Sequence, residues 1–436
     1  MPGELVNEEV FDTMSKVSLQ KEPFVPLLTL ECLSEDLVRS TQRFLDSDVA
    51  IRFICKKLHA NLCNTPSSLT ASLAGKRNAD ERDAHAQEKL RPFMVSLAMM
   101  QWARVELDIP VNDNFCRAAI AGGVVSVVAW LQKNCRSTFN GALDDVCSIA
   151  AKYGHLELLK WARSQSPPID WSARVCAAAA GAGRVEVLEW LASQAPPCPL
   201  DKYVCWDAAE HGRLDALQWL RAQDPPCPWD FRVCSLVVLN GHLEVLKWLR
   251  AQDPPCPWNA RACAAAAEKG HLNILQWLRS QNPPCPWDEE VCIHAAANGQ
   301  LEMLQWVRAQ DPPCPLGSSS SVCVKAAENG HLEVLQWARA QEPPCIWDKW
   351  VCNGAAVKGH LEVLKWARAQ LPPCEWDKQV CNSAAYNGHL ELLKWARSQS
   401  PPCDWSIVHC IDSARTRGFP EMLQWLTAQQ AADALN

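Results

Sequence analysis

The sequence predicts an all-α solenoid, a stack of helix-turn-helix units in which each unit buries its apolar face against the next. Three observations predict it. First, a glycine followed seven residues later by a tryptophan recurs eleven times, from Gly123/Trp130 through Gly241/Trp248 to Gly418/Trp425. Second, the interval between copies is mostly 29 residues, and a fixed period of that size marks stacked structural units. Third, apolar residues follow helical spacing on both sides of each glycine, and a Pro-Pro pair closes most copies. A chain of 436 residues is too long for one ordinary core. A repeat array escapes that limit because each unit contacts only its neighbours.

Taken in order, residues 1–30 read as an irregular tail with Pro23 and Pro26, and residues 31–60 as helical without a copy of the repeat. Residues 61–92 are polar and charged, as in Lys76-Arg77-Asn78-Ala79-Asp80-Glu81-Arg82-Asp83, and read as a linker. The array spans 93–428, opening with a half unit that ends at Trp102, and 429–436 form a frayed tail. One unit, Asp377–Pro402, shows the logic. Asp377 is an N-cap, a position held elsewhere by Ser172, Asp201, Asp230, Asn259, Asp288, Asp348 and Ser406. Val380, Cys381, Ala384 and Ala385 form the apolar stripe of a first helix. Gly388 ends that helix. A second helix turns Leu390, Leu392, Leu393 and Trp395 inward and pairs Glu391 with Lys394 outside. Pro401-Pro402 stops it.

The phrase Ala-Ala-x-x-Gly-His-Leu-Glu-Val-Leu, as at Ala326–Leu335 and Ala355–Leu364, resembles the ankyrin repeat. That resemblance implies helix pairs, a partner-binding groove lined by the first helices, and no cofactor. The departures are a period of 29 rather than 33 residues, the loss of Thr-Pro-Leu-His, and Pro-Pro-Cys-Pro-Trp where the ankyrin hairpin projects. The hairpin is therefore expected to be reduced or absent. In the N-terminal part, Leu33-Ser34-Glu35-Asp36-Leu37, Phe44-Leu45, Val49 and Ile54-Cys55-Lys56-Lys57 resemble an F-box, which implies docking on a Skp-type adaptor of a ubiquitin ligase. The competing reading of 31–60 is a helical cap over the first repeat.

The second-helix tryptophans read as core, and the loop set from Trp171 to Trp405 as plugs between units. Most of the 23 cysteines form two ladders, one on first helices and one in loops. Neighbouring helices lie about 8–10 Å apart, beyond disulfide reach, and no Cys-x-x-Cys occurs, so both ladders read as buried thiols without metal. Arginines two positions after the tryptophans read as helix C-terminal charges, and the histidines after the glycines as locally bonded. A net charge of −7 argues against nucleic acid. No apolar run is long enough to span a bilayer and no secretory signal is seen, so an intracellular, monomeric chain is expected, cytoplasmic or nuclear. No catalytic motif stands out.

Repeat scaffolds bind through the positions that differ between their own units. In the first helices these are Lys202, Tyr203, Trp206 and Asp207; Phe231 and Arg232; Arg261; Glu289, Glu290 and His294; Lys325; Lys349, Trp350 and Asn353; and Lys378, Gln379 and Asn382. The expected function is non-catalytic recognition of a protein partner on this concave first-helix face. The alternative is the substrate-recognition subunit of an F-box-type ubiquitin ligase.

Overall fold

The computed structural model describes residues 90–106, 111–317 and 319–433. The expectations for 1–30, for the F-box-like or capping segment 31–60 and for most of the linker 61–92 lie outside the described residues. The chain divides into two compact units: the helix Leu97–Glu106 falls in one, and the repeats from Pro110 onward, with the short turn Arg91–Met94, in the other.

The repeats are helix pairs throughout, and no strand occurs among the described residues. The first helices are Asp113–Gly122, Arg136–Tyr153, Ala173–Gly181, Lys202–Glu210, Phe231–Leu239, Ala260–Lys269, Glu289–Ala297, Ser321–Glu328, Lys349–Lys358, Lys378–Asn387 and Ile407–Arg417. Each is followed by a second helix, as Leu243–Arg250 follows Phe231–Leu239. First helices stack directly on the first helices of the neighbouring units, whereas second helices touch one another far less. Small residues make this possible: Val351, Cys352, Ala355 and Ala356 are fully buried, and so are their equivalents in most units. Second helices add Val363, Leu364 and Ala367.

The caps form as the residue types require. Asp201, Asp230 and Asp348 accept the main-chain amides of Tyr203, Arg232 and Trp350 at 3.0, 2.9 and 2.9 Å. Ser406 makes no such bond. The glycine turn does more than end the first helix. Gly299 has φ 70°, and a Cβ there would sit 2.6 Å from Nδ1 of His331 in the next unit. His331 Nε2 in turn lies 3.1 Å from the carbonyl of Ala297. The same clasp recurs at His155 on Ala121 and His389 on Val357, at 2.8 and 3.1 Å. The expectation of local bonding is corrected: these histidines fasten their own units to the preceding ones. Burial, before any other influence, holds the pKa of His155 and His360 below the ordinary imidazole value.

The tryptophan expectation needs a larger correction. The buried stripe of a second helix runs through Leu392, Leu393 and Ala396, and Trp395 flanks it, half-buried. Its indole is covered instead by a loop tryptophan, Trp376, with ring centroids 5.9 Å apart and nearly perpendicular planes. Trp258 on Trp277 and Trp347 on Trp366 repeat the arrangement. The arginine of the preceding second helix then lies over the loop indole: Arg250 over Trp258 at 3.8 Å and Arg368 over Trp376 at 4.2 Å. The same Arg250 donates Nη1–H to the Cys256 carbonyl at 2.6 Å. These arginines are therefore ring covers and loop clamps as well as helix-terminal charges. The loop itself is a compact turn with a cis peptide before its first proline, as at Asp253-Pro254, and Gln252 donates to the Trp248 carbonyl at 3.0 Å.

Candidate functional site

The first helices place one end of each unit along a common edge. There the cap is spent on main-chain amides, and the next two side chains project outward. Lys202, Tyr203, Arg232, Arg261, Glu290, Lys325, Lys349, Trp350, Lys378 and Gln379 are exposed; Trp206, Asp207, Phe231, Glu289, His294, Asn353 and Asn382 are half-buried. Tyr203 and Trp350 keep 53% and 52% of their surface in solvent, unusual for such large rings.

Two groups assemble. In the first, Tyr203 meets Trp206 edge-on at 4.7 Å, Lys202 Nζ lies 5.4 Å from the Trp206 ring, and Arg232 of the next unit covers the same ring at 4.6 Å. Trp206 donates Nε1–H to Asp230 at 3.0 Å, which fixes the indole across the unit boundary. Arg261 continues the series 6.0 Å from the Phe231 ring. In the second, Trp350, Asn353 and Lys325 line an open cavity of about 340 Å³ between Ser321–Glu328 and Lys349–Lys358, where Gly354 leaves room. Lys349 is tied to Asp377 at 3.0 Å. Burial works against the Asp377 carboxylate, but the Gln379 amide and Lys349 outweigh it and hold its pKa below the usual range.

Several of the candidates also bond to other residues of the array. Asn353 accepts from Ser383 at 2.9 Å and Asn382 from the Cys410 thiol at 3.6 Å, both across unit boundaries. Glu290 faces His294 at 3.7 Å on the same helix. Burial, then Glu210, raises the pKa of Asp207. Sequence reasoning missed Tyr386, which is exposed under Arg417 at 4.3 Å, and Val357, which lines the cavity. Their position reads Glu210, Leu239, Glu268, Ala297, Glu328, Val357 and Tyr386 along successive units, so its variation was there to be used.

The cysteines pair in a way the sequence reading did not foresee. The first-helix thiol lies beside the loop cysteine of the same unit, 22 residues on: Cys352 and Cys381 donate to the main-chain carbonyls of Cys374 and Cys403 at 3.9 Å, while the Cys374 and Cys403 thiols donate to the carbonyls of Asp348 and Asp377 at 3.2 and 3.4 Å. The neighbouring loop cysteine, and then burial, keep the pKa of Cys352 and Cys381 far above the ordinary thiol value. Cys147 and Cys410, without such a partner, are pushed up to about 11 by burial. The earlier comparison set like cysteines of neighbouring units side by side, whereas the pairing joins unlike cysteines within one. Each unit thus offers two sulfurs, and among the described residues no group of three or more His, Cys, Asp or Glu converges.

No protein-family model matches the chain, and no curated protein matches it. Among solved structures, it is similar to the crystal structure of the pentatricopeptide repeat protein PPR10 from maize, with 12% identity over 80% of this chain and 68% of that one and a TM-score of 0.24. These findings correct the ankyrin and F-box resemblances. The shared phrase around the glycine is a solution for turning one helix into the next, and the compact cis-proline turn stands where an ankyrin hairpin would project. What stands is an all-α solenoid of helix pairs with a period of about 29 residues and regular cysteine spacing. No helix among the described residues is long and apolar enough to cross a membrane.

Proposed function

We propose that the array is a non-catalytic scaffold that binds an extended segment of a protein partner along the first-helix edge. One observation carries this reading: Tyr203 and Trp350 hold large rings half in solvent on the same edge, where side chains also vary from unit to unit. The second helices make the contrast. Their outer faces repeat the same ion pair at Glu157–Lys160, Glu244–Lys247, Glu362–Lys365 and Glu391–Lys394. A surface that repeats one solvated pair offers little for recognition, whereas a varied surface with exposed aromatic anchors supports specificity.

The test is selection from a displayed random-peptide library on the full chain, followed by affinity measurement on variants. Trp350→Ala and Tyr203→Ala remove exposed side chains and leave the core intact. Selected peptides should lose about 2 kcal/mol, or roughly thirtyfold, on at least one of them. Peptides that bind both variants as tightly as the unaltered chain would contradict the proposal.

A further inference from the structure

We infer that the first helices from Ala173 to Lys269 form a site for an extended acidic peptide, whose spaced carboxylates engage Arg174, Lys202, Arg232 and Arg261. This rests on the scaffold reading above and names the chemistry of the partner. The chain as a whole carries −7, yet four successive units each present one cation at the first or second position of the first helix. Among the described ion pairs none involves these four side chains, whereas Lys160, Lys247, Lys365 and Lys394 on second helices each have a carboxylate. The nearby caps Asp201 and Asp230 are engaged by main-chain amides at 3.0 and 2.9 Å.

Three of the cations are held in place by rings. Lys202 and Arg232 lie 5.4 and 4.6 Å from the Trp206 ring, and Arg261 lies 6.0 Å from Phe231. Stacked guanidinium groups keep their N–H edges free for a carboxylate and lose little freedom when one arrives. The spacing also fits. Neighbouring helices pack about 8–10 Å apart, and a peptide in the polyproline II conformation advances about 3.1 Å per residue with three residues per turn, so every third side chain faces the array and meets the next unit. Glu289 and Glu290 in the following unit end the basic stretch and limit the acidic block to these four units. A single-stranded nucleic acid would need open ring faces on which bases stack. At Trp206 cations already lie over the ring, and this favours the peptide.

The experiment is fluorescence anisotropy of a labelled peptide of about twelve residues with glutamate at every third position, sized to span four units, titrated with the full chain at low salt. A peptide of the same composition with its glutamates clustered at one end and a labelled oligouridine are the comparators. The spaced peptide should bind more tightly than both. Arg232→Glu/Arg261→Glu should weaken it by about tenfold, the sum of a few exposed ion pairs. Arg232→Lys/Arg261→Lys should retain binding, and Lys160→Glu/Lys247→Glu, the same charge change on second helices, should leave it unaltered. Circular dichroism of each variant checks that the helices persist. Tighter binding of oligouridine, equal binding of the clustered peptide, or equal loss in the second-helix variant would overturn the inference. If library-selected peptides bind the first helices while the spaced acidic peptide does not, only the acidic assignment falls; if neither binds, the scaffold reading falls with it.

Discussion

At Gly299 two constraints meet that no other residue satisfies together. The turn from first to second helix needs the left-handed conformation, φ 70° here, and the next unit's His331 packs where a Cβ would stand. Gly418 shares the conformation, φ 76°, but has no atom within 4 Å of that position. Comparing the two separates the terms. Gly418→Ala should cost about 1 kcal/mol for the backbone alone. Gly299→Ala should cost about 2–3 kcal/mol, since it also displaces the histidine clasp. Urea unfolding of both variants measures the difference, and equal costs would remove the clasp from the account. The glycines and the caps were legible in the sequence because their roles depend on residues within one unit. The histidine partners were not: His331 reaches back 34 residues to Ala297, and periodicity alone does not say whether such a side chain bonds inside its own unit or across the seam.

The loop between units shows how an element can be read correctly in outline and wrongly in detail. Helical spacing placed Trp277 on the second helix, but the buried stripe is Ile274, Leu275 and Leu278, and the indole falls one step to its side. A half-buried ring at that place needs a cover, and Trp258 supplies it, itself covered by Arg250. The trio therefore joins a second helix, a loop and the next second helix. Trp258→Ala should destabilise the array by about 2–3 kcal/mol through lost ring contact and lost cation–π attraction. Trp258→Leu should cost less, about 1–2 kcal/mol, because Leu200 and Leu316 occupy the equivalent position in other units. Thermal unfolding followed by far-ultraviolet circular dichroism reads both. The chain's own exceptions agree with this pairing. Where Leu200 replaces the tryptophan, Ala192 replaces the arginine; where Leu316 does, Arg308 remains and its buried Nε has no hydrogen-bond partner in the protein.

Over the whole array, the fold class was legible because one period, one glycine and one apolar stripe recur until no other architecture accommodates them. Family was not, since a short phrase that solves a helix-to-helix turn is shared by geometry and does not carry descent with it. The candidate surface was legible in part. Variation between units pointed to the first helices, but it did not distinguish Asn353 and Asn382, which bond across the seam, from Lys202 and Trp350, which face solvent. The central claim is that the varied first-helix edge, and not the tryptophan–arginine seam of the loops and second helices, meets the partner. Hydrogen–deuterium exchange of the full chain with and without a library-selected peptide tests it most directly. The account predicts slowed exchange concentrated in first helices such as Lys202–Glu210, Phe231–Leu239 and Lys349–Lys358. Protection confined to the second helices and the Pro-Pro loops, with the first helices unchanged, would contradict it.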